Sequence, residues 1–113
     1  MRRLLFVSLV LFVFAATVAQ AKRPARTPYQ AAVRAIYHVF GPYASQAMRV
    51  VHCETGGTYS VWASNGQYLG LFQMGSWERR TYGHGSNPWA QARAAHRYFV
   101  ASGRDWSPWE CKP

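Results

Sequence analysis

Cys53 and Cys111 are the only cysteines in the chain and lie 58 positions apart. If they are joined, the end of one segment in the middle of the sequence must meet the C-terminal tail, so every fold that keeps those two regions apart is excluded. Whether they are joined depends on where the chain works, and its N-terminus speaks to that. Arg2 and Arg3 precede an apolar run from Leu4 to Phe14, interrupted only by Ser8, and small residues follow up to Ala19-Gln20-Ala21. That order is the pattern of a secretory signal peptide spanning residues 1–21. The run is also shorter than the roughly 20 residues a membrane-spanning helix needs. The reading is therefore of a secreted or wall-associated domain covering residues 22–113, without stable membrane insertion. In an oxidising compartment a lone cysteine pair most often forms a disulfide, and closing a loop of this length stabilises a fold by about 4 kcal/mol in the chain-entropy account. Two free thiols are the alternative. A metal site is a weaker one, because there is no CxxC and His38, His52, His84 and His96 show no ligand spacing. No cofactor is expected.

A small domain needs that staple, because at this size folding buries only about two thirds of the chain's surface. Charge narrows the partner. The balance of +9 falls to +7 without the leader's two arginines, and a small basic protein attracts anionic surfaces. Export directs the expectation away from nucleic acid and toward wall polymers, anionic lipids or acidic glycans.

Proline and glycine divide the rest into short segments. Lys22–Pro28 (KRPARTP) reads as a flexible basic arm. Tyr29, Val33, Ile36 and Phe40 follow at helical spacing until Gly41. Pro42 suits the first turn of a second helix, whose stripe Tyr43, Ala47, Val50 leads one turn further to Glu54, and Gly56-Gly57 stops it. Asn65-Gly66 is a turn dipeptide able to close a short hairpin. Ser76–Tyr82 reads as a short helix. Asn87-Pro88 opens a last helix that Gly103 ends, with Ala92, Ala95 and Phe99 on its apolar side. The expected fold is mainly α, a small helical domain of lysozyme-like α+β type with at most one short hairpin and one disulfide.

Glu54 is the only carboxylate between Val50 and Met74, and it falls on the inward stripe of its helix. Burial there and the negative end of the helix dipole both disfavour its ionised form. A glutamic acid kept protonated near neutral pH is what a glycosidase uses as general acid on a leaving oxygen. Pairing with a surface arginine is the plainer alternative.

In order, HCETGG (His52–Gly57), NGQYLGLFQM (Asn65–Met74), SW (Ser76, Trp77), NPWAQARAA (Asn87–Ala95) and WSPWEC resemble the lysozyme-like transglycosylase superfamily. The likeness is greatest to small secreted resuscitation-promoting-factor-like domains, with their Cys-Glu-Ser-Gly-Gly helix end, Gly-Leu-Gln segment and closing Trp-Cys. It spans nearly all of Tyr29–Cys111 and makes residues 29–113 a lysozyme-like catalytic domain. It implies a cleft that cleaves the β-1,4 bond between N-acetylmuramic acid and N-acetylglucosamine of peptidoglycan, with Glu54 as catalytic acid/base, Gln73 near the cleft floor, and a Cys53–Cys111 disulfide. Thr55 replaces the usual serine and keeps its hydroxyl. Gln91 stands where many relatives carry asparagine, so no role is carried over for it.

Tyr59, Trp62, Tyr68, Phe72 and Trp77 fall in the segments that would line such a cleft, and sugar rings stack on flat apolar faces; in so small a domain most aromatics are core. Asn65 and Gln67 are candidates for hydrogen bonds to acetamido groups. The expected site is thus Glu54 with Thr55, Tyr59, Trp62, Asn65, Tyr68 and Gln73. Glu78, Asp105 and Glu110 have plain structural readings, so Glu54 is expected to lack a partner carboxylate and to act twice, giving a 1,6-anhydro product. Two rival classes remain: a non-catalytic glycan-binding or signalling module on the same fold, which needs no acid, and a cationic membrane-active protein, which needs a continuous amphipathic helix.

Overall fold

A computed structural model describes residues 10–16 and 22–113. Most of the proposed leader, residues 1–9 and 17–21, lies outside the described residues. Among those described, the protein is mainly helical, with one two-stranded hairpin and one disulfide. Helix α1 is Pro28–Phe40, a single 3-10 turn covers Gly41–Tyr43, and α2 is Ala44–Glu54. Strands β1 (Ser64–Asn65) and β2 (Tyr68–Leu69) follow, then α3 (Ser76–Tyr82) and α4 (Pro88–Ala101). No helix among the described residues is long and apolar enough to cross a membrane.

The basic arm is shorter than expected. Thr27 caps α1: its hydroxyl accepts the Gln30 amide at 3.1 Å, while the Gln30 side chain accepts the Thr27 amide at 3.1 Å. This reciprocal capping box satisfies two otherwise free donors of the first turn, and Pro28 at the first helical position loses nothing by lacking an N–H. Ordered structure therefore starts inside the stretch read as flexible. Pro42 sits in the 3-10 turn, and α2 proper begins two residues later.

Alanines let the helices approach closely. Ala32, Ala35 and Ile36 of α1, Ala47, Val50 and Val51 of α2, and Ala92, Ala95 and Phe99 of α4 are all buried, and α1 packs on both α2 and α4. Phe40 stacks on Phe72 at 5.3 Å and on Trp106 at 5.6 Å, while Phe99 meets Trp106 at 4.4 Å. Fully burying one such ring is worth about 1.5–3 kcal/mol. Both tail tryptophans satisfy their indole N–H: Trp106 donates to Gln46 Oε1 at 2.8 Å and Trp109 to the Phe72 carbonyl at 3.0 Å. Together with the Cys53–Cys111 disulfide they hold the tail across the end of α2.

In the hairpin, Asn65 pairs with Tyr68 and Ser64 with Leu69. The turn is therefore Gly66-Gln67, one residue later than the Asn65-Gly66 dipeptide suggests, with Gly66 at φ +63° supplying the left-handed first position.

Candidate active site

Glu54 is the last residue of α2, and the chain leaves the helix there because Gly56 and Gly57 adopt φ of +60° and +82°. The intervening Thr55 fixes the reversal. Its buried hydroxyl donates to the Val51 carbonyl at 2.7 Å and accepts the Tyr59 amide at 3.0 Å. The fold thereby ends the helix on a carboxylate and folds the following loop back beneath it.

That carboxylate forms part of a cleft open to solvent. Asn65 and Tyr68 line it from the hairpin, Gln73, Met74 and Gly75 from the segment after β2, and Pro108, Trp109 and Glu110 from the tail. Glu54 Oε1 accepts the Cys111 amide at 3.1 Å, so its hydrogen-bond partner is the tail backbone and not an arginine. Its carboxyl is raised above the ordinary glutamate value, chiefly by burial; the Cys111 amide opposes this, Glu110 adds to it, and Lys112 opposes it. Lys112 is itself held by the carbonyls of Trp106, Ser107 and Trp109, where it ties the tail turn together.

Of the residues expected at the site, Glu54, Asn65, Tyr68 and Gln73 meet in the cleft. Thr55, Tyr59 and Trp62 do not line it. Thr55 is engaged in ending α2. Tyr59 is buried behind α2, its hydroxyl donating to the Met48 carbonyl at 3.3 Å and its ring edge-on to Tyr29 at 4.9 Å. Trp62 is 74% exposed, outside the cleft. Gln73 does two things: it lines the cleft, and its Nε2 donates to the carbonyls of Ala63 at 3.0 Å and Gly70 at 2.9 Å. Those bonds accompany a backbone φ of +44°, a conformation uncommon for a residue other than glycine. Gln67 acts inside the fold, its Oε1 accepting from the Ser76 hydroxyl at 3.1 Å.

Glu54 is expected to lack a partner carboxylate, yet Glu78 and Glu110 line the same cleft. Three of the chain's four acids thus converge there. Asp105 is elsewhere, accepting the Ser107 amide in a tail turn at 2.7 Å. Glu110 follows from the disulfide that pins its neighbour. Glu78 arrives by a different route. Gly75 has an extended backbone, φ −73° and ψ 172°, open to any residue, yet a Cβ there would stand 2.5 Å from Glu78 Oε2. The bare glycine is the room in which the Glu78 carboxylate lies.

Tyr98 of α4 also lines the cleft. It stacks on Tyr82 at 5.0 Å and tilts against Trp109 at 4.9 Å; burial, then Glu78, then Tyr82 raise its phenol above the ordinary value. Gln91, given no role from the sequence, is the fastener of the cleft's frame. Its Oε1 accepts the Leu71 amide at 2.8 Å, and its Nε2 donates to the carbonyls of Val61 at 3.0 Å and Gly85 at 2.8 Å. Among the described residues no group of three or more histidine, cysteine, aspartate and glutamate side chains is arranged to hold a metal ion. Compared with protein-family models, with curated proteins and with solved structures, the chain gives no match.

Proposed function

We propose that this protein is an exported muralytic enzyme that cleaves the β-1,4 bond between N-acetylmuramic acid and N-acetylglucosamine in peptidoglycan, with Glu54 as the general acid on the leaving oxygen. The observation that carries the reading is the setting of Glu54: a carboxyl at a cleft wall, raised by burial and fixed by a backbone amide. A proton donor must hold its proton near the working pH and yet release it to an oxygen within hydrogen-bond reach; burial moves Glu54 toward the first condition, and the open cleft gives access for the second. The exposed ring of Tyr68 offers an apolar surface for sugars, and Asn65 offers an amide for acetamido groups.

Release of soluble muropeptides from purified cell walls is the test. Wild-type protein releases them, and Glu54→Gln, which keeps shape and removes the proton, lowers the rate by about 10²–10⁴-fold while glycan binding persists. Full lytic rate in that variant would falsify the assignment.

A further inference from the structure

The proposed acid uses one carboxylate of the three in the cleft, and Glu78 is placed to do separate work. It is the third residue of α3, which packs on α4. Its plain explanation, a negative charge in the first turn of a helix, is worth only about 0.3–1 kcal/mol and would be served equally by a carboxylate pointing into solvent. The side chain instead lies back over Gly75, and the next atoms around that glycine are Tyr68 Cε1 and Gln67 Oε1 of the hairpin. Glu78 lines the cleft together with Tyr68 of the hairpin and Tyr98 of α4. α3 begins without a side-chain cap hydrogen bond. Glu110, by contrast, is exposed and adjoins Cys111, whose amide holds Glu54. Glu54 and Glu110 therefore share a wall, and Glu78 alone comes from another one.

We infer that Glu78 is the general base of the reaction, activating a water against the sugar whose leaving oxygen Glu54 protonates. This rests on the muralytic reading above. The bond between C1 of the muramic residue and the bridging oxygen breaks, and the Glu54 proton goes to that oxygen. The water oxygen bonds to C1 as its proton passes to the Glu78 carboxylate. Solvent exchange returns Glu78 to its ionised form and Glu54 to its acid. The product is a reducing end carrying one added water. If Glu54 worked alone, the sugar's own hydroxyl would close a 1,6-anhydro ring.

The test uses the disulfide-intact protein on purified sacculi, with products resolved by mass spectrometry, which separates the two ends by one water. Wild type gives hydrated ends. Glu78→Gln lowers their rate of formation by about 10²–10⁴-fold, any residual product being anhydro, and added azide restores cleavage as a glycosyl azide. Gly75→Ala gives a second route: it displaces the carboxylate without requiring a new backbone conformation and shifts products the same way. Melting temperatures within a few degrees of wild type show that both variants fold. Hydrated product formed at the wild-type rate by Glu78→Gln, or only anhydro ends from wild type, overturns the inference while leaving the muralytic reading intact. A wild-type protein that releases nothing from walls overturns both.

Discussion

Ile36 on α1 and Gln91 on α4 are both buried, and they hold their surroundings in opposite ways. Ile36 contributes apolar area to a seam of alanines, valines and phenylalanines, any one of which is backed by several others. Gln91 contributes three directed hydrogen bonds to Val61, Leu71 and Gly85, which lie in the loops between α2 and α4. The helical seam is thus held redundantly, whereas the cleft's frame is held by a few amides, one indole and a disulfide. Apolar contact is non-directional and forgives small changes. A satisfied buried polar group does not, because losing a partner leaves the other desolvated and alone.

The strongest way to break this asymmetry is to cut the disulfide. Reduction, or serine at both Cys53 and Cys111, removes a constraint worth about 4 kcal/mol, and in a domain of this size the melting temperature falls by roughly 15 °C or more. Because the tail carries Trp109 and Glu110 into the cleft, the proposed cell-wall cleavage is lost at temperatures where the helices, followed by circular dichroism, persist. Simultaneous loss of both signals would show that the halves melt as one.

Next in size is Gln91→Leu, which keeps volume and deletes all three bonds. Orphaning the Leu71 amide and two carbonyls costs about 3 kcal/mol, and hydrogen exchange localises the damage to the loops between α2 and α4. Ile36→Val is the matched change in the seam. It costs about 1 kcal/mol, and urea denaturation shows the loss while muralytic rate stays unchanged. If Ile36→Val cost as much as Gln91→Leu, the asymmetry would be wrong.

The smallest effect carries a sign. Glu54 has a folded-state carboxyl raised above its ordinary value of 4.5, so the contribution of its protonated form to stability is complete below that value and is lost as pH rises through the raised one. Glu54→Gln escapes the loss. Thermal melts therefore show the variant gaining on wild type as pH rises from the ordinary glutamate value through the raised one, an increase in stability that accompanies a loss of the proposed activity. A gain that is largest at the acidic end would contradict burial as the cause.

The same asymmetry governs what could be read from residues alone. The seam was legible because it is periodic: Ala92, Ala95 and Phe99 repeat at helical spacing, and Asn87-Pro88 marks a start that the structure keeps, the Asn87 side chain accepting the Ala90 amide at 2.9 Å. The disulfide was legible because there was one pair to choose. The α1 start was placed one residue late, at Tyr29 and not Pro28, although Thr27 and Gln30 carry its signal. The cleft's frame had no signal of this kind. Gln91 bonds to residues 6, 20 and 30 positions away, and no local pattern encodes such distances. Tyr59 and Trp62 were sorted by aromatic character, which does not distinguish a ring turned under α2 from one turned to solvent. Glu78 had a sufficient local explanation in its helix, and only the fold brings it into the cleft that Glu54 lines.

Gly75 gives the cleft a historical signature. Its backbone would tolerate an ordinary side chain, so drift at this position is not restrained by conformation; it is restrained by the carboxylate lying over it. Positions 75 and 78 should then vary together among descendants of this sequence. Lineages that keep the acid at 78 keep glycine at 75, and those that lose the acid become free to fill 75 with anything small. A coupled pair of that kind would trace chemistry, whereas Gly56, set by φ alone, would stay glycine in active and inactive branches alike.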